Sequence, residues 1–280
     1  MTPIELSEPG AVAPTELVEA RLALHDAAQL TAAAAYALLP TAPDHSHSNL
    51  LWSSERGGFV GRALPGGTRC ALDPATLRTS LLGPDGGSRG ELSVVGRTLE
   101  AACVELGALL RRAGESVPAG GLRTPDYDLP DTPVRRGAAF EKPPADELRE
   151  LARWFALGHA ALGRVSTRHL GGAEVRCWPH HFDLAALLTL DPGVEAEAAR
   201  SLGVGLSPGD ASYAEPYFYV SPWPAPDADA LPEPSAGRWH TDGFTSLVLT
   251  ASEIVGPHAA RRVEGFLESA VSLAFDLLGA

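Results

Sequence analysis

The chain of 280 residues contains a single lysine, Lys142, a single asparagine, Asn49, and three widely separated cysteines. Each scarcity removes a class of chemistry. A pyridoxal enzyme carries its cofactor as a Schiff base on a pocket lysine, whereas Lys142 sits in EKPPADE, a stretch with the composition of a linker. A P-loop requires GxxxxGK[ST], which is absent, and a protein kinase requires a strand lysine against its nucleotide. No pyridoxal cofactor and no P-loop nucleotide is therefore expected. Cys70, Cys103 and Cys177 form no CxxC pair, so neither a disulfide framework nor a zinc knuckle is expected, and the three read as small buried hydrophobes. No apolar run approaches the roughly 20 residues of a membrane span. The opening segment MTPIELSEPG is acidic and lacks the basic region of a signal peptide, which predicts a cytoplasmic location.

Positive charge is also in short supply. Lysine and arginine together number 22 against 35 acidic residues, a formal net charge of -13. A chain of this balance lacks the basic face that neutralises phosphates, so no nucleic-acid partner is expected, and an anionic membrane surface is disfavoured. Arginine in place of lysine, with abundant Ala, Gly and Pro, has the look of a GC-rich bacterial genome. The chain is 45% hydrophobic and 20% charged, which is enough to build a core and too apolar for overall disorder. Its length suits one large domain or two smaller ones.

Periodicity predicts a helix over Thr15–Leu39, with Thr15 as its cap, Glu16 and Glu19 in the first turn, and Pro40 ending it. HSHSNLLW follows, then Gly-punctuated strands in GGFVGRAL, TRCALD and GELSVVG. RTLEAACVELGALLRRAG reads as a helix with Leu99, Cys103, Leu106 and Leu110 on one stripe and Gly114 as its stop. Residues 117–147, rich in Pro, Gly and Asp, read as an extended crossing segment that packs through Tyr127 and Phe140. The order then repeats. A helix places Leu148, Leu151, Phe155 and Leu162 on one face. Strands follow in EVRCWPHHFDLAALLTL, EPYFYVSPW and TSLVLTAS, and a last helix over His258–Leu278 carries Val263, Phe266, Ala270 and Leu277. This predicts an α+β fold built from an internally duplicated unit of helix, antiparallel strands and helix, related by a pseudo-two-fold in a single compact body. The halves are 1–116 and 148–280, with 117–147 as the crossing linker.

Two short motifs share a form: His47-Ser-Asn49-Leu and His181-Phe-Asp183-Leu. Read as strands, His47 and Asn49 share one face, as do His181 and Asp183, with Phe182 and Leu184 turned to the core. Packing about a two-fold would let these polar side chains converge. His180, His240 and Asp242 extend the set, with His45 beside His47. Imidazole and carboxylate together suit zinc, iron or manganese, and His181-x-Asp183 with His240 has the order of a 2-His-1-carboxylate triad. WHTDG, containing His240, also looks like the first half of such a triad in some iron oxygenases. Against that, no basic residue follows His240 until Arg261 to hold an oxo-acid co-substrate, and four long helices do not suit a jelly roll. GLSPG, Gly205 to Gly209, matches GxSxG. The residue after its serine is Pro208, which has no N–H for an oxyanion hole, so the match reads as a turn. AEPYFYVSPWP alternates, with Tyr217, Tyr219 and Ser221 on one face and Phe218, Val220 and Pro222 on the other.

Together CWPHHFDLA, AEPYFYVSPWP and the terminal AVSLAFDLLGA resemble a bacterial family of uncharacterised proteins, catalogued as a domain of unknown function. The resemblance covers most of the chain and is clearest from Trp178 onward; the N-terminal half departs most from the family pattern. It implies a duplicated helix-and-strand unit and names no activity.

The functional expectation is a small-molecule pocket between the halves, lined by His47, Asn49, His180, His181, Asp183, Glu215, Tyr217, Tyr219 and His240. The alternatives are a metal-dependent enzyme, hydrolytic or oxygenase-like, holding a divalent metal with His181, Asp183 and His240, and a scaffold in which the same pairs only stitch the fold together.

Overall fold

The computed structural model describes residues 8–195 and 198–280; Met1–Ser7, on which most of the expectation of no export signal rests, lies outside them. Among the described residues five α-helices and eleven strands follow in order. The first part comprises α1 (Val18–Leu38), β1 (Leu50–Ser53), β2 (Gly58–Gly61), β3 (Arg69–Asp73), β4 (Arg78–Leu82), β5 (Ser88–Ser93) and α2 (Leu99–Arg112). Then come α3 (Ala145–His169), β6 (Arg176–Trp178), β7 (Asp183–Thr189), β8 (Ser201–Ser207) and β9 (Tyr217–Trp223). The last elements are β10 (Arg238–His240), β11 (Ser246–Thr250), α4 (Ala251–Ile254) and α5 (Ala259–Leu278). The fold is α+β, as the alternation of helical and strand periodicity predicts. No described helix is long and apolar enough to cross a membrane.

The chain forms two units. One comprises Glu16–Ala152 with Cys177–Phe182; the other comprises Glu8–Thr15, Arg153–Arg176 and Asp183–Ala280. The crossing segment 117–147 belongs to the first unit, where Phe140 is buried and exchanges backbone hydrogen bonds with Gly96 and Arg97.

In the first unit the strands are ordered β6-β1-β2-β3-β4-β5, all antiparallel. The alanine-rich α1 is buried over most of its length and packs on β2, β3 and α2. Small side chains let it come close to its neighbours while keeping high helix propensity. It begins at Val18 rather than Thr15, because Pro14–Glu16 forms a separate 3-10 turn and Leu17, buried, takes the N-cap position. Thr15 therefore caps nothing: a capping hydroxyl must stand directly before the first helical N–H groups. In α2 the reading holds more closely. Thr98 accepts the Ala101 N–H, and Cys103, Leu106 and Leu110 are buried. Gly114 ends the helix at φ +95°.

In the second unit the strands are ordered β7-β8-β9-β11-β10, again antiparallel, and α5 packs on β8, β9 and β11. Gly158 of α3 lies so close to β8 that an added Cβ would meet Leu206 Cδ2 at 2.3 Å. In β9, Phe218, Val220 and Pro222 are buried while Tyr219 and Ser221 are half-buried; Tyr217, at the start of the strand, departs from the alternation and is buried as well. Leu277 does not join the buried stripe of α5 and is 37% exposed. The stripe runs from Ala270 to Ala274 and Leu278, one turn at a time.

Candidate functional site

The two His-x-(Asn/Asp)-Leu motifs do not lie on strand faces. Each is a turn that feeds a strand: β1 starts only at Leu50, and β7 only at Asp183. EVRCWPHHFDLAALLTL is thus two strands with a tight turn between them, not one. The shared-face argument for His47 with Asn49 and for His181 with Asp183 fails, because period-two geometry applies only inside a strand. Phe182 and Leu184 are buried as expected.

The structure sorts the sequence-predicted residues by unit. His47, Asn49, His180 and His181 belong to the first; Asp183, Glu215, Tyr217, Tyr219 and His240 belong to the second.

In the first unit α1 ends at Leu38, and the chain turns through 42–48. His45 adopts φ +58°, and its carbonyl accepts the Ser48 N–H and hydroxyl, both at 3.1 Å. The Ala42 N–H donates to His47 Nδ1 at 3.2 Å. A neutral ring with an accepting Nδ1 carries its proton on Nε2. The second turn, Trp178–Phe182, closes with the His181 and Phe182 N–H groups on the Trp178 carbonyl, Phe182 at φ +59°. Two donors from consecutive turns of α1 grip its Pro179 carbonyl: His25 Nε2 at 2.8 Å and Gln29 Nε2 at 2.6 Å. The His25 ring also stacks on Phe182, centroids 5.0 Å apart and 10° from parallel. Helix α1 thereby fixes where His180 stands.

The result is a cluster of rings. His45 and His180 lie 5.3 Å apart, and Tyr127 of the crossing segment stands 5.4 Å from the first and 5.3 Å from the second. His47 is 6.4 Å from His45 and 5.9 Å from Tyr36; His181, exposed, is 4.3 Å from His180. Desolvation, then the nearby His181 and His45, lowers the His180 pKa to about 4. Desolvation also lowers His47, and takes His25 to about 4. All three rings are neutral at neutral pH. His45 Nδ1, His47 Nε2 and His180 Nδ1 are buried without a hydrogen-bond partner, as is the Asn49 side-chain oxygen.

The second unit arranges its polar groups differently. Tyr219 donates to Asp183 at 2.5 Å and Tyr217 to Asp210 at 2.5 Å. The other oxygen of Asp210 accepts the Ser212 and Tyr213 N–H groups. His240 Nε2 donates to the Asp242 main-chain carbonyl at 2.7 Å, so its Nδ1 accepts the Tyr213 hydroxyl at 3.0 Å. Burial, reinforced by the carboxylates they serve, pushes the Tyr217 and Tyr219 hydroxyls well above the usual phenol range. Glu215 stands apart and accepts the Ser252 N–H at 2.6 Å, tying down the first turn of α4. In GLSPG, residues Gly205–Ser207 end β8 and the turn follows, with Ser207 Oγ accepting the Gly209 N–H at 3.1 Å.

The roles of three residues escaped the sequence reading. His25 and Gln29 are spaced four apart, a polar pair on one face of an otherwise alanine- and leucine-rich helix, and that spacing was the available signal. Gly205 pairs across the sheet with Tyr219 on one side and Ala185 on the other. A Cβ at Gly205 would sit 2.3 Å from the Tyr219 hydroxyl oxygen. The missing side chain lets Tyr219 lie across β8 and reach Asp183 on β7; a glycine inside a strand is the signal for such close approach.

Cys70, Cys103 and Cys177 are free and buried, with burial pushing the Cys70 thiol up to about 12 and Cys103 to about 11. Among the described residues no three His, Cys, Asp or Glu side chains are placed to hold a metal ion. No family model, curated protein or solved structure matches the chain.

Proposed function

We propose that the protein binds a small, uncharged polar molecule at the histidine cluster of the first unit. One observation carries this reading: His45, His47 and His180 bring buried, unpartnered ring nitrogens to one place, and burial holds His47 and His180 neutral. More than about nine in ten buried polar groups have a partner in folded proteins, and exceptions concentrate where a ligand or ordered water completes them. The arrangement offers a donor at His47 Nε2–H and a ring nitrogen each from His45 and His180, with Tyr127 and Tyr36 as aromatic walls. Neutral imidazoles favour an uncharged partner with both a donor and an acceptor, such as a planar heterocycle or an amide. Membership in the bacterial family that CWPHHFDLA and EPYFYVSPWP resemble, and a duplicated origin of HxNL and HxDL as copies of one turn-and-strand element, belong to the same reading.

The test is 15N imidazole spectroscopy of the full chain. His47 is expected as the Nε2–H tautomer, and a panel of uncharged heterocycles and amides should yield compounds that shift the His45, His47 and His180 ring nitrogens together. A panel that moves none of the three, with His47 in the other tautomer, would sink the proposal.

A further inference from the structure

A second feature of the first unit shares no residue with the histidine cluster. A groove of about 750 Å³ runs along α2 and is lined on its other side by residues 119–124 and by Val134, Arg135 and Gly137. Its apolar part includes Cys103, Val104, Leu122 and Val134. Val104 is 69% exposed, although its neighbour Cys103 is buried.

Charge in the groove runs against the rest of the chain. Acidic residues outnumber basic ones by 35 to 22 overall, yet three arginines, Arg111, Arg123 and Arg135, line the groove against one carboxylate, Glu100. Arg135 uses Nε on Asp26, 3.3 Å away, while its Nη2 is buried without a hydrogen-bond partner. Arg111 spends Nη2 on the Pro118 carbonyl at 3.3 Å. Arg123 is exposed and makes no ion pair among the described residues. Guanidinium groups pair with carboxylates through two parallel hydrogen bonds, and a pocket that joins such a group to apolar walls selects ligands with the same division.

We propose that this groove binds a small monocarboxylate with an apolar tail. The carboxylate takes Arg123 and the free edge of Arg135, and the tail lies on Val104, Leu122 and Val134. One negative charge matches the groove better than two, because Glu100 already offsets part of the arginine charge.

Calorimetric titration of the full chain with sodium octanoate, and with octanamide as its uncharged counterpart, tests this. Arg123→Gln and Val104→Asp alter exposed positions and should leave the far-ultraviolet circular dichroism unchanged. Octanoate is expected to bind saturably and to weaken as sodium chloride rises. Octanamide and the Arg123→Gln variant should each lose about tenfold in affinity, the worth of one charge-assisted hydrogen bond. Val104→Asp should weaken binding by placing a charged, solvated group on the apolar wall that the tail needs. Absence of saturable octanoate binding overturns the proposal. So does equal binding of octanamide, or octanoate binding unchanged in both variants. Displacement of octanoate by an equal concentration of inorganic phosphate would reduce the groove to a general anion site and overturn the role of the tail.

Discussion

The histidine cluster of the first unit and the tyrosine array of the second set polar groups among aromatic rings with opposite outcomes. In the tyrosine array the hydroxyls of Tyr213, Tyr217 and Tyr219 each end on an acceptor: His240, Asp210 and Asp183. Both nitrogens of His240 are engaged. In the histidine cluster, burial holds His47 and His180 neutral, yet His45, His47 and His180 each keep a buried nitrogen without a partner. A closed network holds strands in register, while an open one retains capacity for a further molecule. The difference separates Tyr217, Tyr219 and Asp183, which hydrogen-bond to one another or to Asp210, from His45, His47 and His180, on whose unpartnered nitrogens the proposed binding site rests.

The sharpest way to break this comparison acts on the closed side. Gly205→Ala places a methyl group where the Tyr219 ring lies, so the strand must shift or the Tyr219–Asp183 bond must open. Overpacking together with a lost hydrogen bond to a buried carboxylate should cost about 4 kcal/mol, read by guanidinium unfolding. A cost below that of an ordinary surface substitution would mean that the array is not what holds β7, β8 and β9 together.

Acid should act on the open side through its support. His25 is neutral in the folded chain down to about pH 4, whereas in the unfolded chain it takes a proton near its ordinary value of about 6.5. Its contribution is therefore complete above pH 6.5, declines as the pH falls from 6.5 toward 4, and levels off below that. The shift corresponds to about 3 kcal/mol. Unfolding curves between pH 7 and pH 4 should show this loss in wild type and a smaller one in His25→Gln; parallel curves for the two proteins would contradict the buried, neutral ring.

The smallest effect is the most discriminating. His180→Phe removes an imidazole whose buried Nδ1 has no partner, so stability should stay within about 1 kcal/mol of wild type, while every ligand-induced shift at His45 and His47 disappears. A large loss of stability would move the histidine cluster into the same structural class as the tyrosine array.

Much of the fold was legible because it rests on local rules. Helix α2 follows from its apolar stripe, of which Cys103, Leu106 and Leu110 are buried, and from its closing glycine, and the alternation in AEPYFYVSPWP marks β9 as a strand. Strand β4, RTSLL, was missed although the turn residues of GPDGG follow it, because its three polar and two apolar residues show no period-two alternation. The candidate site was legible only as a list. HSHSNLLW and HHFDLAAL read as strands throughout, whereas each is a turn that leads into a strand; Glu215 serves the Ser252 N–H, and Asp242 meets His240 only through its main-chain carbonyl.

The sequence by itself determined the classes of chemistry: one lysine, three scattered cysteines, an acidic balance, and an alternation of helix and strand periods. These depend on residue type and short spacing, which no packing can change. Tertiary structure decided which polar groups are satisfied. The hold of His25 and Gln29 on the Pro179 carbonyl spans about 150 residues of chain. The passage of Tyr219 over Gly205 needs three strands in register. Whether a histidine is neutral, and which of its nitrogens lacks a partner, follows from desolvation and from contacts far apart in sequence, which residue order alone does not state.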